Sequence, residues 1–309
     1  MPGRSHRGAL PALTPEQELL AETLRSGVEM LAGEIGPRNE HRYQELMACA
    51  DWIASQLSQD GHEVRRQAYE VRGKTYENLE VEIAGFARPE EIVVVGAHYD
   101  TVPGSPGAND NSSGVVALLE LARRFGSRRS RRTLRLVAFV NEEMPHFMSG
   151  AMGSQVYARA CRHRGDRVTA MISLETIGYY RQGAGTQQYP PPLSLLYPTE
   201  GNFLGFVGNL RSNRLLREAV GAFRTHARFP SEGASLPALV PGVSWSDHSS
   251  FWSNGYPAIM ITDTAPFRYP HYHTPEDTPD KLDYPSLARV VDGIDAVVMT
   301  VVGGARPWE

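Results

Sequence analysis

Ile92-Val93-Val94-Val95-Gly96-Ala97-His98 is an unbroken apolar run that stops abruptly at an imidazole. β-Branched residues favour extended backbone, and a run without polar alternation reads as a strand covered on both faces. No hairpin signal follows it. Instead comes the small-residue loop Gly104-Ser105-Pro106-Gly107-Ala108-Asn109-Asp110-Asn111, then a helical segment from Ser113 to Phe125. A strand left by way of a helix returns parallel to itself.

The same rhythm continues: a strand Leu134 to Val140, a helix near Gln155 to Arg162, a strand Val168 to Leu174, a helix near Leu215 to Thr225, a strand Ala258 to Thr262, and a closing helix from Leu287 through Val290, Ile294 and Val298 to Val301. The expectation is an α/β, three-layer sandwich with a mostly parallel mixed central sheet and helices on both faces.

Upstream, Thr14-Pro15-Glu16-Gln17 has the form of a capping box with proline at the first helical position, opening a helix to about Gly33. A second helix is predicted from Glu40 to Gln59, with Asn39 as N-cap and Gly61 just beyond its end. His62 to Tyr69 and Glu77 to Ile83 read as strands at a sheet edge. Residues 1–13 are expected to be a flexible tail. With no Pro/Gly/Ser-rich linker near the middle and no internal repeat, residues 1–309 are expected to form one catalytic domain. Two stretches lack periodicity, Arg181 to Gly201 with four prolines and His226 to Trp245, and are expected to wall a cleft.

Hydrophobic residues make up 41% of the chain and charged residues 21%, which excludes disordered and fibrous classes. A net charge of -4 gives no electrostatic reason to bind nucleic acid or an acidic membrane. The arginines between Arg123 and Arg135 are interrupted by Gly126, Ser127 and Ser130, and read as a solvated loop rather than a phosphate-binding surface. Two cysteines, Cys49 and Cys161, are too few for a disulfide framework or a thiolate metal site, so a metal must use histidine and carboxylates. No signal-peptide core or membrane span is visible. The chain as written reads as cytoplasmic, or as secreted or periplasmic if a leader was removed.

His98, the pair Glu142 and Glu143, and Glu175 each follow a predicted strand directly. Ligands gather at the carboxyl ends of strands in open α/β sheets, so these side chains should converge. Buried like charges raise one another's pKa and drive carboxylates neutral unless a cation compensates them. Asp110, in the small-residue loop, is placed to bridge two metals. Asp100 is expected to orient His98 through the other ring nitrogen. At the far end Tyr272-His273-Thr274 supplies a further ligand in His273, with His271 its rival by position. Asp247 and His248 have two open readings, a role beside the metals or a buried hydrogen-bonded pair fixing the helix at Phe251.

Gly96-Ala97-His98-Tyr99-Asp100-Thr101, Ala108-Asn109-Asp110-Asn111-Ser112-Ser113-Gly114, Phe139-Val140-Asn141-Glu142-Glu143, Ser246-Asp247-His248-Ser249-Ser250-Phe251 and Tyr272-His273-Thr274 together resemble the M28 family of zinc aminopeptidases, over about Gly36 to Asp283. The resemblance implies a zinc-exopeptidase-like fold, two zinc ions per chain, and hydrolysis of amide bonds at peptide N-termini. It makes Asp110 the bridging ligand, with Glu143 and His273 completing one site and His98 and Glu175 the other. Glu142 would be the general base and Tyr272 an oxyanion donor. The family more often has Asp where Glu175 stands, and the extra methylene bears on the occupancy of the second site. The stretch Met144 to Met152 is longer and more apolar than the family's usual turn, and is expected to line the cleft.

Zinc suits such ligands, although cobalt or manganese occupies similar sites. The expected partner is a peptide or amino-acid amide substrate, and nothing in the sequence indicates the oligomeric state. The rival functions are a glutaminyl-cyclase-like acyltransferase, a small-amide hydrolase, and a non-catalytic binding module, which should have lost ligands or the base.

Overall fold

The computed structural model describes residues 1–191 and 193–303. In chain order the elements are α1 (Pro15–Val28), α2 (Tyr43–Gln59), β1 (Val64–Val71), β2 (Lys74–Ile83), β3 (Arg88–His98), α3 (Ser113–Phe125), β4 (Arg132–Phe139), α4 (Gly153–Arg164), β5 (Arg167–Glu175), β6 (Leu204–Gly208), α5 (Asn213–His226), β7 (Ser231–Ser235), α6 (His248–Ser253), β8 (Ala258–Thr262) and α7 (Tyr284–Val301). One eight-stranded sheet runs β1-β2-β4-β3-β5-β8-β6-β7. Its centre, β4-β3-β5-β8, is parallel. The β1-β2 hairpin is antiparallel to β4 at one edge, and β6 is antiparallel to β8 at the other.

Strand β3 shows why the sheet is covered twice. Val93, Val95 and Ala97 enter a core shared with α1, α2, α3, α5 and α7, while Ile92 and Val94 enter a second core with Tyr157 and Cys161 of α4 and Phe251 of α6. Gly96 has a packing reason, since a Cβ there would meet the Phe139 ring at 2.3 Å. The chain leaves β3 toward β4 on one side and β5 on the other, and the strand ends flanking that reversal form the crevice favoured for ligands.

Thr14 caps α1 through a capping box with Gln17. Asn39 does not cap α2, which begins only at Tyr43; its Oδ1 accepts from His41 N and Arg42 N and closes the preceding turn. The two expected edge strands pair as an antiparallel hairpin; β1 is shifted two residues along the chain, β2 begins three residues earlier than expected, and of the two only β1 lies at a sheet edge. Periodicity missed β6 and β7, which have five residues each and are too short to show a period, whereas α6 is the helix anticipated at Phe251. The segment 1–13, expected as a tail, has no regular element but is tied down: Ser231 N donates to Ser5 Oγ, Arg224 to the Pro2 carbonyl and Arg289 to the Pro11 carbonyl.

The arginine run is only partly a solvated loop. Arg123 and Arg124 pair with Glu120, Arg128 with Asp295, Arg132 with Glu91, and Arg135 with Glu82 and Asp166. These guanidinium groups anchor strand and helix ends. Among the described residues no helix is long and apolar enough to cross a membrane.

Candidate metal centre

His98 ends β3, Glu142 and Glu143 follow β4, and Glu175 ends β5; all four are buried. Asn141 takes a positive φ of 60°, a conformation asparagine tolerates, and the turn it makes aims two successive amides at Asp100. Asp100 Oδ1 accepts from Glu142 N at 3.0 Å and Oδ2 from Glu143 N at 3.1 Å. Its backbone carbonyl lies 3.1 Å from His98 Nδ1, closer than its carboxylate at 3.7 Å. Asp100 therefore meets the histidine chiefly through its main chain and spends its side chain on the glutamate turn.

Asp110 lies between β3 and α3 with its two oxygens turned to different partners. Oδ1 is 3.2 Å from His98 Nε2, which is 3.4 Å from Glu175 Oε2. Oδ2 is 3.0 Å from His273 Nε2, which is 3.3 Å from Glu143 Oε1. His98, Asp110 and Glu143 also offer atoms that all lie within 4.8 Å of one another. Glu142 Oε2 sits 4.0 Å from His98 Nε2, at the margin of the first set.

Several residues that sequence reasoning passed over hold this arrangement. Asp277 accepts from the amides of Asn109 and Asp110 at 2.8 and 3.1 Å and from Tyr269 Oη at 2.8 Å. Asn111 donates to the Leu174 carbonyl and accepts from Thr176 N, stitching the Asp110 loop to the end of β5. Asn109 donates to Asp263 and accepts from Gly178 N. Ser246 Oγ donates to Glu175 Oε2 at 2.8 Å. The buried Arg38 reaches the carbonyls of Tyr99, Pro106 and Gly107 and the Ser112 hydroxyl, tying the exit of β3 to the same loop. The two asparagines lay inside motifs already quoted, where they read only as turn formers, and Asp277 lies three residues beyond Tyr272-His273-Thr274. Arg38 carried no local signal, because its partners are backbone groups far along the chain.

Tyr272 stacks on the His273 ring at 3.8 Å; Tyr272 lines the adjoining cavity, and the His273 side chain is partly exposed. His271 does not join the cluster; its ring meets Tyr269 and its carbonyl accepts from Thr274. His146 is buried against Glu40 and Tyr76. Asp247 and His248 fit neither expectation fully. His248 Nε2 contacts the Val243 carbonyl at 2.8 Å and its ring meets Trp252, so it braces α6 away from the cluster. It is not bonded to Asp247, whose two buried oxygens have no hydrogen-bond partner among the described residues.

Burial pushes the His248 pKa down to about 4, only partly opposed by its contact with the Val243 carbonyl. The unfolded histidine takes a proton below about 6.5, whereas the folded one resists until about 4. Stability contributed here is therefore complete above pH 6.5 and lost as pH falls to 4, by about 3 kcal/mol. His248→Gln should flatten the dependence of the denaturation midpoint on pH in that window. An unchanged slope would remove His248 as its source.

The cluster is charged against itself. Burial, with Glu143, Glu175 and Asp247 nearby, pushes the Glu142 carboxyl well above its ordinary range despite opposition from His98. Burial and Asp110 push Glu143 up to about 7, and Glu175 also moves up by burial. Burial opposes charging of both imidazoles, yet the carboxylates hold His98 well above its usual value and His273 up to about 10. Four carboxylates around two imidazoles are a deficit of positive charge. His98 Nε2 and Asp110 Oδ1 are moreover buried with no hydrogen-bond partner, as ligand atoms facing a cation would be. Nitrogen and carboxylate donors fit a divalent ion such as zinc.

A narrow cavity leads off the cluster at Glu175 and Tyr272, with about 90 Å³ open to the centre of a water-sized sphere. It is lined from within both irregular stretches, by Tyr189, Leu193 and Tyr197 of the first and Glu232, Val243 and Trp245 of the second. The stretch Met144 to Met152 does not line it. Met148, Ser149, Gly150 and Met152 border a separate depression with Arg159 and Asn209, while Met144 is exposed. The expectation that this stretch shares the main cavity is corrected by its turn, which carries it toward α4.

Comparison with known proteins agrees with this geometry. The uncharacterized protein YfbL of Escherichia coli is 36% identical over 93% of this chain and 89% of its own length. A probable leucine aminopeptidase of Arthroderma benhamiae is 28% identical over 63% of this chain, which matches only half of that relative's length. Among solved structures, BSAP, a zinc aminopeptidase from Bacillus subtilis, superposes with a TM-score of 0.73 at 17% identity, covering 91% of this chain and 95% of that one. A glutaminyl cyclase from Fimbriiglobus ruber gives 0.66 at 19%, covering 95% and 99%, so both share the fold. The model of peptidase family M28 matches residues 78–298, most of the sheet and all five motifs save the start of the chain, and this protein belongs to that family.

Proposed function

We propose that this protein is a zinc-dependent aminopeptidase with two metal positions that share Asp110. The observation that carries the reading is the split environment of that carboxylate, with His98 and Glu175 on one oxygen and His273 and Glu143 on the other. When bound, divalent ions there lower the pKa of water and polarise a substrate carbonyl. Glu142, buried beside the cluster but outside both ligand sets, accepts the proton of the attacking water and returns it to the leaving amine. Asp100 fixes Glu142 and Glu143 through their amides, and Ser246 fixes Glu175. The exopeptidase reading places the substrate's α-amine beside these carboxylates at the metal centre, and the adjoining cavity receives the N-terminal side chain.

Metal analysis and turnover of aminoacyl p-nitroanilides test this directly. About two zinc ions per chain, loss of activity on chelation, and recovery on adding zinc are the expected results. Absence of bound metal would overturn the reading. Ammonia release from N-terminal glutaminyl peptides without peptide cleavage would identify a cyclase instead.

Tyr272, stacked on His273 at the mouth of the cavity, is proposed to donate to the developing oxyanion. Removing one such donor costs roughly 10²-fold in kcat in other enzymes. Tyr272→Phe should lower kcat by about that factor with little change in KM. A change confined to KM would make Tyr272 a wall of the pocket rather than a donor.

A further inference from the structure

One row of residues crosses four strands from the metal centre into the cavity. Glu175 of β5 is paired with Thr262 of β8, Thr262 with Gly205 of β6, and Gly205 with Glu232 of β7. Residues paired across strands point to the same face of a sheet. All four line the one cavity. Three strand steps separate the ends, about 14 Å between the backbones of Glu175 and Glu232. Gly205 contributes no side chain to the middle of this floor, and a Cβ there would press to 3.2 Å on the Thr262 carbonyl.

The walls above that floor are apolar and aromatic, with Tyr189 beside Tyr197 and Trp245 stacked on Phe267. Glu232 is a carboxylate at the far end of an otherwise greasy channel. Its ion-pair partner, Arg224, stands 3.8 Å away. The guanidinium of Arg224 is committed elsewhere: Nη2 donates to the Ser231 carbonyl at 2.7 Å, Nε to Ser231 Oγ at 3.1 Å, and Nη1 to the carbonyls of Pro2 and Gly3. Arg7 and the N-terminal amine add positive charge from the N-terminal segment, and Glu232 also borders a second depression there with Arg7. No described residue donates a hydrogen bond to the Glu232 carboxylate, so its acceptor capacity is open.

Resting on the aminopeptidase reading, we propose that Glu232 makes this cavity selective for N-terminal residues with a long cationic side chain, lysine or arginine. The methylene stem lies along the apolar walls, which suit the aliphatic part of such residues, and the charged head meets the carboxylate. Aromatic faces further favour a guanidinium or ammonium group. Leucine or norleucine fills the near part of the channel and leaves Glu232 without a partner.

The test uses zinc-loaded protein and reads binding and turnover separately. Calorimetry is run in the Glu142→Gln background, so that the amides bind with hydrolysis suppressed. It compares lysine amide with norleucine amide, which carries an unbranched aliphatic side chain without the cationic head, in this otherwise parent protein and with Glu232→Gln added. Lysine amide should bind at least tenfold more tightly to the parent. The preference should disappear in Glu232→Gln, with norleucine amide binding within twofold of the parent value as evidence of an intact pocket. Equal binding of the two amides to the parent, or a preference that survives in Glu232→Gln, would overturn the assignment whether or not the protein turns substrates over. Turnover of the corresponding p-nitroanilides reports on the aminopeptidase reading itself. Hydrolysis of the leucine derivative without a lysine preference in binding would leave that reading standing and remove the role of Glu232.

Discussion

Asp110→Ala should leave a folded protein that retains no stoichiometric zinc and has lost activity by at least about 10⁴-fold, equivalent to about 5.5 kcal/mol in the barrier. The size of the effect follows from its position. Each of the other ligand candidates faces one side of the cluster, whereas Asp110 faces His98 with Oδ1 and His273 with Oδ2. Removing it leaves each proposed site one donor short and withdraws the charge that both ions would share. The fold should survive, because the loop is held by Asp277 on the backbone amides of Asn109 and Asp110 and by Asn111 on the end of β5, not by the Asp110 side chain. Zinc content by mass spectrometry, beside a far-ultraviolet circular dichroism spectrum, decides the matter. Two ions retained in Asp110→Ala would refute the shared-carboxylate arrangement.

Glu142→Gln is expected to behave in the opposite way on metal and in the same way on turnover. The side chain is buried, its amide is anchored on Asp100, and its carboxylate stands outside the two sets of paired donors. The glutamine is nearly isosteric but cannot accept a proton, so zinc should remain at the parent stoichiometry while kcat falls by about 10³-fold to 10⁴-fold, the upper range for a positioned general base. KM should change little, since the interaction is made in the transition state. Zinc loss in Glu142→Gln would recast the residue as a ligand, and parent-like kcat would remove it from the chemistry.

The pairing of these two outcomes separates holding a metal from using it. Asp110 and Glu142 are both buried acids in the same crevice, and burial alone does not distinguish them. What distinguishes them is the partner geometry of each oxygen, which exists only after β3, β4 and β5 have been set side by side.

Much of this was legible along the chain. The valine run of β3 carried the two-sided burial of the central sheet, because β-branched residues without polar alternation have no exposed face to offer. The capping box at Thr14 opened α1 because its reciprocal hydrogen bonds are local. His98, Glu142, Glu143 and Glu175 could be named as convergent because position at the end of a parallel strand is itself a spatial statement. Elements governed by distant partners could not be read this way. Strands β6 and β7 have the sequences Leu-Gly-Phe-Val-Gly and Ser-Glu-Gly-Ala-Ser, whose pairing is set by neighbours rather than by their own pattern. The stretch after Glu143 was misread for the same reason, since apolar composition does not say which depression a loop borders.

By itself, the sequence determined the strand and helix rhythm, the candidate ligand types and the crevice in which they should meet, because each rests on periodicity or on position at a strand end. Only the tertiary structure decided which oxygen of Asp110 faces which histidine, that Arg38 and Asp277 brace its loop, that His248 stands aside, and that Glu232 shares a floor with Glu175. The braces from Arg38 and Asp277 join residues 61 to 168 positions apart and the shared floor depends on register across strands, and the free energy of such contacts depends on distances that no local pattern encodes.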